Sequence, residues 1–422
     1  MGSDRGVSRR RFFQGAAAGL AAGIGAPYVL PRSAFGANER VLTGHIGVGS
    51  HGMTNLNAHL SRAIAVCDVD TTRLARAVDA VTRAGGTCEG YGDFRRLLDR
   101  KDVDAVVVST PDHWHALMTV RACEAGKDVY CEKPLTLTIA EGRRVVEVAR
   151  RTQRIVQTGS QQRSAPNFRR ACGLVRAGRL GRIQRVLAGI PGVNFRGPAV
   201  PDSAPPPELD YGLWLGPAAL RPYNANRVHY NFRFFWDYSG GQLTNWGAHQ
   251  NDIAQWGLGM DTSGPVEIRG EATYDETRLY EVPKWCEATY TYANGVTLVC
   301  RTDPRVGITF EGANGRLVVA GGTLTSEPPD LLGLQKETLG GDPARLRPGD
   351  DHHGNWLECI RSRKLPVCDV EIGHRSATVC HLGNIAMRCG RAVRWDPARE
   401  QIVGDDEANR MLSRPCREPW RL

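Results

Sequence analysis

The twelve cysteines of this 422-residue chain include no C-x-x-C pair. They run singly from Cys67 to Cys416, which argues against a zinc ribbon or a dense disulfide scaffold and makes most of them buried thiols. No basic stripe with interleaved aromatics occurs, so the pattern does not fit a nucleic-acid surface. Internal repeats are absent, and the one biased tract is a proline-rich loop, "GPAVPDSAPPPELDYG" (197–212). No apolar run is long enough to span a membrane; "GAAAGLAAGIGA" is about a dozen mostly small residues. What is present is a globular composition, 41% hydrophobic and 23% charged, long enough for two ordinary domains.

The net charge is +9, of which residues 1–37 supply +4 through Arg5, Arg9, Arg10, Arg11 and Arg32 against Asp4. In "SRRRFFQ" Ser8 precedes Arg9 and Arg10, the small apolar run follows, and "SAFGA" (33–37) offers small residues for cleavage. A positive stretch ahead of a short apolar one reads as a secretory signal. The twin arginines resemble the twin-arginine export signal, a receptor-read address. The expectation is an exported protein of the periplasm or cell envelope without stable membrane insertion, or a cytoplasmic one if 1–37 is only a basic N-terminus.

From Val41 onward apolar runs alternate with helical stretches. "VLTGHIGVG", "RAIAVCDVD", "DVDAVVVSTP", "KDVYCEKP" and "RIVQTG" read as strands, and "TRLARAVDAVTRAG" and "HALMTVRACEAG" as helices ending in glycine. Thr138 and Glu141 stand at capping-box spacing ahead of a third helix. These repeats predict an α/β fold with a parallel, doubly wound sheet over roughly residues 40–160. Farther on, β runs over 265–325 with hairpin turns at 293–295 and 313–315 predict a largely antiparallel sheet. Helices from about Gly354 and Gly373 and an irregular final arm follow. The expected organisation is a signal segment (1–37), a nucleotide-binding domain (38–160), a substrate and oligomerisation domain (161–390) and an arm (391–422).

Gly47-x-Gly49-x-x-Gly52 lies between a strand and a helix, and Asp68 ends the next strand 19 residues beyond Gly49. Such glycines, with Ser50 and His51 in the same loop, let backbone amides approach a pyrophosphate, while the acid accepts from ribose hydroxyls. A 2′-phosphate would be repelled by Asp68, so NAD is favoured over NADP. Lys133, in "CEKPL" (131–135), ends a strand of the same sheet, where ligands of open α/β sheets bind. It is either a solvated loop lysine or a group that Glu132 and Pro134 aim at a substrate hydroxyl beside a nicotinamide.

In "GGQLTNWGAHQNDIAQW" (240–256), Asn245, His249 and Asp252 share one helical face, and His249 is either a general base or a cap or core histidine. The alternation in "HYNFRFFWDYSGG" (229–241) predicts a strand with Tyr230, Phe232, Phe234, Trp236 and Tyr238 on one side. That face is a sugar platform, a core strand or a subunit interface, with Arg233 and Asp237 available to hydroxyls. "GDDHHGNW" (349–356) offers Asp350, Asp351, His352 and His353 but no third ligand at metal spacing, so no metal is expected.

The glycine motif with Asp68, "STPDHWH" (109–115), "CEKPL" and the glycine pair leading to His249, in this order, resemble the glucose–fructose oxidoreductase / inositol dehydrogenase / MocA (Gfo/Idh/MocA) family over about residues 40–420. The resemblance implies a Rossmann domain followed by an α/β domain with an open, mostly antiparallel sheet, and NAD(P)-dependent redox chemistry on a carbohydrate or polyol. It makes Lys133 the catalytic lysine and His249 the acid/base. It puts Ser109, Thr110, Pro111, His113, His115 and Glu132 beside the cofactor. It puts Trp246 and Asp252 in the substrate pocket; Asn245, and Arg233 and Trp236 of the aromatic segment, are expected to face the substrate on their own chemistry. It also implies a homodimer or homotetramer with a small-molecule substrate.

Asn245 departs from the family's aspartate; an amide holds a hydroxyl but accepts no proton. Three functions remain in view: an exported oxidoreductase with retained NAD, a redox-neutral glycoside hydrolase that oxidises a hydroxyl transiently, and a non-catalytic NAD-containing sugar-binding protein.

Overall fold

Valine-rich runs that cannot face water on either side build the first sheet of the computed structural model, which describes residues 40–333 and 351–422. Its strands are β1 (Thr43–Ile46), β2 (Ala63–Cys67), β3 (Glu89–Tyr91), β4 (Ala105–Val108), β5 (Asp128–Cys131) and β6 (Val156–Thr158). They lie in the order β3-β2-β1-β4-β5-β6 with every pair parallel. β1, β4 and β5 are buried along their whole length, as parallel strands covered on both faces must be. The connecting helices are α1 (Ser50–Asn57), α2 (Thr71–Arg83), α3 (Phe94–Leu98), α4 (Asp112–Glu124) and α5 (Ile139–Arg151). Asp70 caps α2 by accepting from Thr72 and Arg73 amides, and Thr138 and Glu141 form the expected capping box on α5. The strand order reverses between β1 and β4, which opens a crevice at their carboxyl ends.

The remaining elements are α6 (Pro166–Arg176), β7 (Ile183–Ile190), α7 (Tyr211–Leu215), α8 (Gln242–Asn245), α9 (Gly247–Gly257), β8 (Glu267–Thr273), β9 (Trp285–Thr291), β10 (Thr297–Thr302), β11 (Gly307–Gly312), β12 (Gly315–Ala320), β13 (Thr323–Glu327), α10 (His352–Ser362), α11 (Val370–Cys389), β14 (Val393–Asp396), β15 (Gln401–Ile402) and α12 (Asp406–Arg410). Nine strands form one sheet in the order β13-β12-β11-β7-β10-β9-β8-β14-β15, antiparallel except for the parallel pair β7–β10. Both Ala-Asn-Gly turns close hairpins, between β9 and β10 and between β11 and β12. Val186, Ala188, Tyr290, Leu298 and Phe310 form the buried face, and their neighbours along each strand face outward.

α11 is the strut between the sheets. Its Glu371 pairs with Arg143 of α5 at 2.8 Å, its His374 with Glu400 at 2.8 Å, and its His381 donates to the Thr136 carbonyl just past the Glu-Lys-Pro turn. α10 returns to the first sheet, where the fully buried Trp356 packs with Val41, Val107, Tyr130 and Ile155.

Two local expectations are corrected. Residues 229–234 form a 3-10 helix rather than a strand. The Asn231 amide makes both hydrogen bonds to the Arg196 backbone that a neighbouring strand would have made, so the segment has no ladder to join. The final arm is not irregular throughout, since it carries β14, β15 and α12. The cysteines are free thiols, most of them buried. Among the described residues no helix is long and apolar enough to cross a membrane. The expected export signal (1–37) and Asp350 lie outside the described residues.

Burial lowers the pKa of His381 from 6.5 to about 3. The unfolded chain therefore takes up a proton between these values that the folded chain refuses, and stability falls as pH drops below 6.5. His381→Gln keeps a donor for Thr136 and removes that proton. The slope of unfolding free energy against pH between 6.5 and 5, read from urea midpoints, is expected to flatten by about 1 kcal/mol per pH unit. An unchanged slope would show that His381 is already charged in the folded protein.

Candidate active site

A cavity of about 790 Å³ opens at the carboxyl ends of β1, β2, β4 and β5 and runs on to α8, α9 and the 3-10 turn of the second sheet's domain. One end is built from backbone. Gly47 has φ +82°, and a Cβ there would sit 2.8 Å from the Ser109 carbonyl; a Cβ on Gly52 would come within 2.0 Å of the Gly47 oxygen. Only glycine closes this turn, and it leaves the amides at the start of α1 open to an anion.

Asp68 lies at the same end. Its Oδ2 accepts from Val48 N at 2.8 Å and its Oδ1 from Asp70 N at 3.0 Å, so the carboxylate is fixed with lone pairs left for two hydroxyls. Arg73 and Arg76 line the wall beside it. This cradle and acid fit a dinucleotide, with the pyrophosphate on the loop and a ribose at Asp68. Ser109, Thr110 and Pro111 line the next stretch, where the Thr110 hydroxyl is buried without a partner among the described residues. His115 ties this loop to the lysine turn, its ring nitrogens standing 2.9 Å from the Thr110 carbonyl and 2.8 Å from that of Pro134.

At the other end Glu132 is a buried anion. It accepts from Asn55 and Gln161 side-chain amides and from His51, all at 3.0 Å. Burial alone would raise its pKa, but His51, Asn55 and Lys133 hold it down to about 2. Lys133 Nζ donates to both oxygens of Asn245, the backbone carbonyl at 3.0 Å and Oδ1 at 2.8 Å. Burial lowers the lysine pKa while Glu132 and Asp112 push it back up. His249 is half-buried in the same wall, with Nδ1 free of partners among the described residues. Burial, then the Lys133 charge, lowers it to about 3, so its imidazole is neutral.

A chain of side-chain amides leaves this centre. Asn245 Nδ2 donates to Gln242 Oε1 at 3.0 Å, Gln242 Nε2 to Asn194 Oδ1 at 3.4 Å, and Asn194 Nδ2 to the Tyr230 hydroxyl at 2.7 Å. Every member of the chain both accepts and donates. An aspartate at 245 would accept from Lys133 but could not donate to Gln242, which gives the asparagine a structural reason.

The structure thus brings Gly47, Gly49, Ser50, His51, Gly52, Asp68, Ser109, Thr110, Pro111, His115, Glu132, Lys133, Arg233, Asn245, Trp246 and His249 to one cavity wall. Three candidates lie elsewhere. His113 is buried two residues before His115, on another side of α4, and donates to the Trp214 carbonyl at 3.0 Å. Asp252 is fully buried one helical turn beyond His249, where it pairs with Arg163 at 2.8 Å as an internal brace. Trp236 lies beneath the Arg388 and Arg414 guanidinium groups, 3.5 and 3.8 Å from its ring centre, and anchors the C-terminal arm.

His352 and His353 point apart. His352 accepts from the Ser164 hydroxyl at 2.7 Å and donates to the Thr158 carbonyl, whereas His353 meets His59 at 3.1 Å.

Residues unforeseen from sequence include Asp112, buried in the wall and accepting from Ser239 Oγ at 2.5 Å, together with Asn194, Gln242, Arg196 and Trp214. Asp112 had a signal, since an acid opens α4 inside "STPDHWH". The others are isolated residues in one loop and two short helices, and only the fold brings them together.

Two outcomes follow from this geometry. Asp68→Ser should weaken NADH binding about ten- to hundredfold in a fluorescence titration and improve NADPH relative to NADH; unchanged binding would remove Asp68 from the ribose. Asn245→Asp places a carboxylate on Lys133, which raises the lysine pKa. The lysine's titration, followed by NMR of a labelled sample, should move to higher pH by about one unit or more; no movement would mean Lys133 does not rest on residue 245.

Family models match most of the chain: "Oxidoreductase family, NAD-binding Rossmann fold" over residues 41–160 and "Oxidoreductase family, C-terminal alpha/beta domain" over 194–422. The fold is shared with the WlbA dehydrogenase from Bordetella pertussis, solved with NADH and UDP-GlcNAcA, at a TM-score of 0.63 and 19% identity over 85% of this chain and 99% of that one. It is shared also with the aldose–aldose oxidoreductase from Caulobacter crescentus, solved with glycerol, at a TM-score of 0.61 and 20% identity over 84% of this chain and 100% of that one. A glycosyl hydrolase family 109 protein of Shewanella pealeana is 37% identical over 128 residues, which is 28% of this chain and 27% of that protein's length. The chain thus matches only about a quarter of the length of such curated relatives. The family models cover well over half of the sequence, and the chain belongs to the Gfo/Idh/MocA oxidoreductase family, with an NAD-binding Rossmann domain.

Proposed function

We propose that this oxidoreductase acts on a hydroxyl of a carbohydrate or polyol and is exported with its NAD already bound. The observation that carries the reading is a neutral imidazole, His249, in the same cavity wall as Lys133 and the dinucleotide cradle. NAD supplies the hydride acceptor. Lys133, anchored on Asn245, holds the substrate oxygen, and His249 takes its proton as the carbinol carbon is oxidised. Glu132 stays ionised and balances the lysine charge.

Retention of the cofactor has structural support. Residues 208–210 pair with the end of β2: Asp210 N donates to the Val69 carbonyl at 2.9 Å and Thr71 N to that of Glu208 at 2.9 Å. Leu209, Leu213 and Trp214 thereby wall the cavity next to Asp68. Export rests on the twin-arginine pattern of residues 1–37. A bound cofactor that is reduced and reoxidised in place suits a compartment without free NAD.

The local 37% identity to family 109 glycosyl hydrolases favours a second reading. The same residues would oxidise a glycoside hydroxyl, acidify the neighbouring C–H for loss of the aglycone, and restore the hydroxyl after water adds.

The purified protein is denatured and the supernatant assayed for NAD(H) by mass spectrometry; stoichiometric cofactor is expected, and an empty protein would overturn the retained-cofactor reading. The intact protein is then given sugars, polyols and aryl glycosides. Reduced-cofactor absorbance favours the first reading, and aglycone release without net reduction the second. Lys133→Met and His249→Asn are each expected to cut turnover about a hundred- to ten-thousandfold while the cofactor stays bound. Turnover within a few-fold of the native protein would exclude them from the chemistry.

A further inference from the structure

We propose that the substrate is acidic: Arg196 and Arg233, packed over Tyr230 in the active-site cavity, form a clamp for a carboxylate or phosphate carried by the sugar. The proposal rests on the sugar-oxidising reading and adds the substrate's charge to it.

Both guanidinium groups lie over the Tyr230 ring, at 3.4 Å (Arg196) and 4.2 Å (Arg233) from its centre, and all three residues line the cavity that contains Lys133 and His249. Tyr230 is fixed by Asn194, so the platform is preorganised and wired through the amide chain to Lys133. Arg233 donates its Nε to the Tyr230 carbonyl at 2.9 Å, which leaves its terminal nitrogens available. Among the described residues neither arginine has a carboxylate within ion-pair distance, unlike Arg163, which pairs with two buried acids.

None of the cavity's own acids pairs with either arginine among the described residues. Asp68 is held by backbone amides, Asp93 by Arg95, Asp112 by Ser239 and Glu132 by His51 and two amides. Arg233 is partly desolvated and has only the distant charge of Asp112 to oppose it, Arg196 stands exposed beside it, and a bidentate oxyanion is the ligand that their fork geometry fits. The dinucleotide's phosphates are already served by the glycine loop and α1. The unpaired charge therefore falls to the other molecule in the cavity.

Matched pairs test this on NAD-saturated protein by titration calorimetry: D-glucuronate against D-glucose, D-galacturonate against D-galactose, and D-glucose 6-phosphate against D-glucose. In at least one pair the acidic member should bind about tenfold tighter or better, and Arg196→Gln and Arg233→Gln should bring that ratio close to one with NADH affinity kept. A uronate preference assigns a carboxylate and a 6-phosphate preference a phosphate, each supporting the clamp. Neutral sugars binding as well as or better than their acids, or a ratio that survives both substitutions, would overturn the clamp and leave the sugar reading standing. Loss of NADH affinity with no acid preference would give the arginines to the dinucleotide and overturn the clamp. No binding or cofactor reduction by any sugar would bring down the sugar reading, and the clamp with it.

Discussion

The ammonium of Lys133 is the group whose needs organise this site. A lysine drawn out of water must find oxygens, and an unmatched one costs several kcal/mol. Its support comes from different halves of the molecule: both oxygens of Asn245, from α8, accept from the ammonium, and the charge of Glu132, at the end of β5, steadies it from a distance. Docking of the second domain on the first is therefore what keeps the charge satisfied. His115 adds a backbone tie between the two cofactor-side loops, and His381 of α11 grips the same turn from behind. The Lys133–Pro134 turn is held at three points before any ligand arrives.

That arrangement also sets the protonation states. Lys133 lowers the pKa of His249, and burial lowers both. Each cation makes the other's proton easier to lose, so the pair favours one proton over two, and Glu132 is the fixed anion that keeps the lysine charged. A carboxylate at 245 would strengthen the lysine's hold on its proton. The amide removes that bias and uses its nitrogen to reach Gln242, trading an acid in the relay for a rigid link to Tyr230.

What could be read in advance divides by how local the signal is. The glycine loop and Asp68 lie about one βαβ unit apart, and the capping box and Ala-Asn-Gly turns are local to a few residues; all form as the spacing requires. Lys133 and His249 were legible because a family order accompanied them. Asn194, Gln242 and Arg196 carried no such order, and each gains meaning only when β7's exit loop crosses α8. The misplaced residues show the converse. Asp252 has the right spacing from His249, but spacing does not reveal that Arg163 waits on the buried side. Trp236 has the right chemistry for a sugar platform, and two arginines from the C-terminal region occupy it instead.

The same accounting explains why Tyr230, rather than Trp236, serves the cavity. Both rings lie beneath arginine pairs, but the Trp236 pair includes Arg414 of the C-terminal arm, which donates to the Trp236 carbonyl and so is used to fasten the chain. Over Tyr230 the arginines fasten little: Arg196 is exposed, and Arg233 makes one local backbone bond. Arg233, partly buried, is costly to leave unpaired and does little for the fold, and such a residue is retained where a ligand completes it. No carboxylate of the cavity pairs with these arginines among the described residues and Asp112 reaches Arg233 only from a distance, so an anion from outside is the group that completes them.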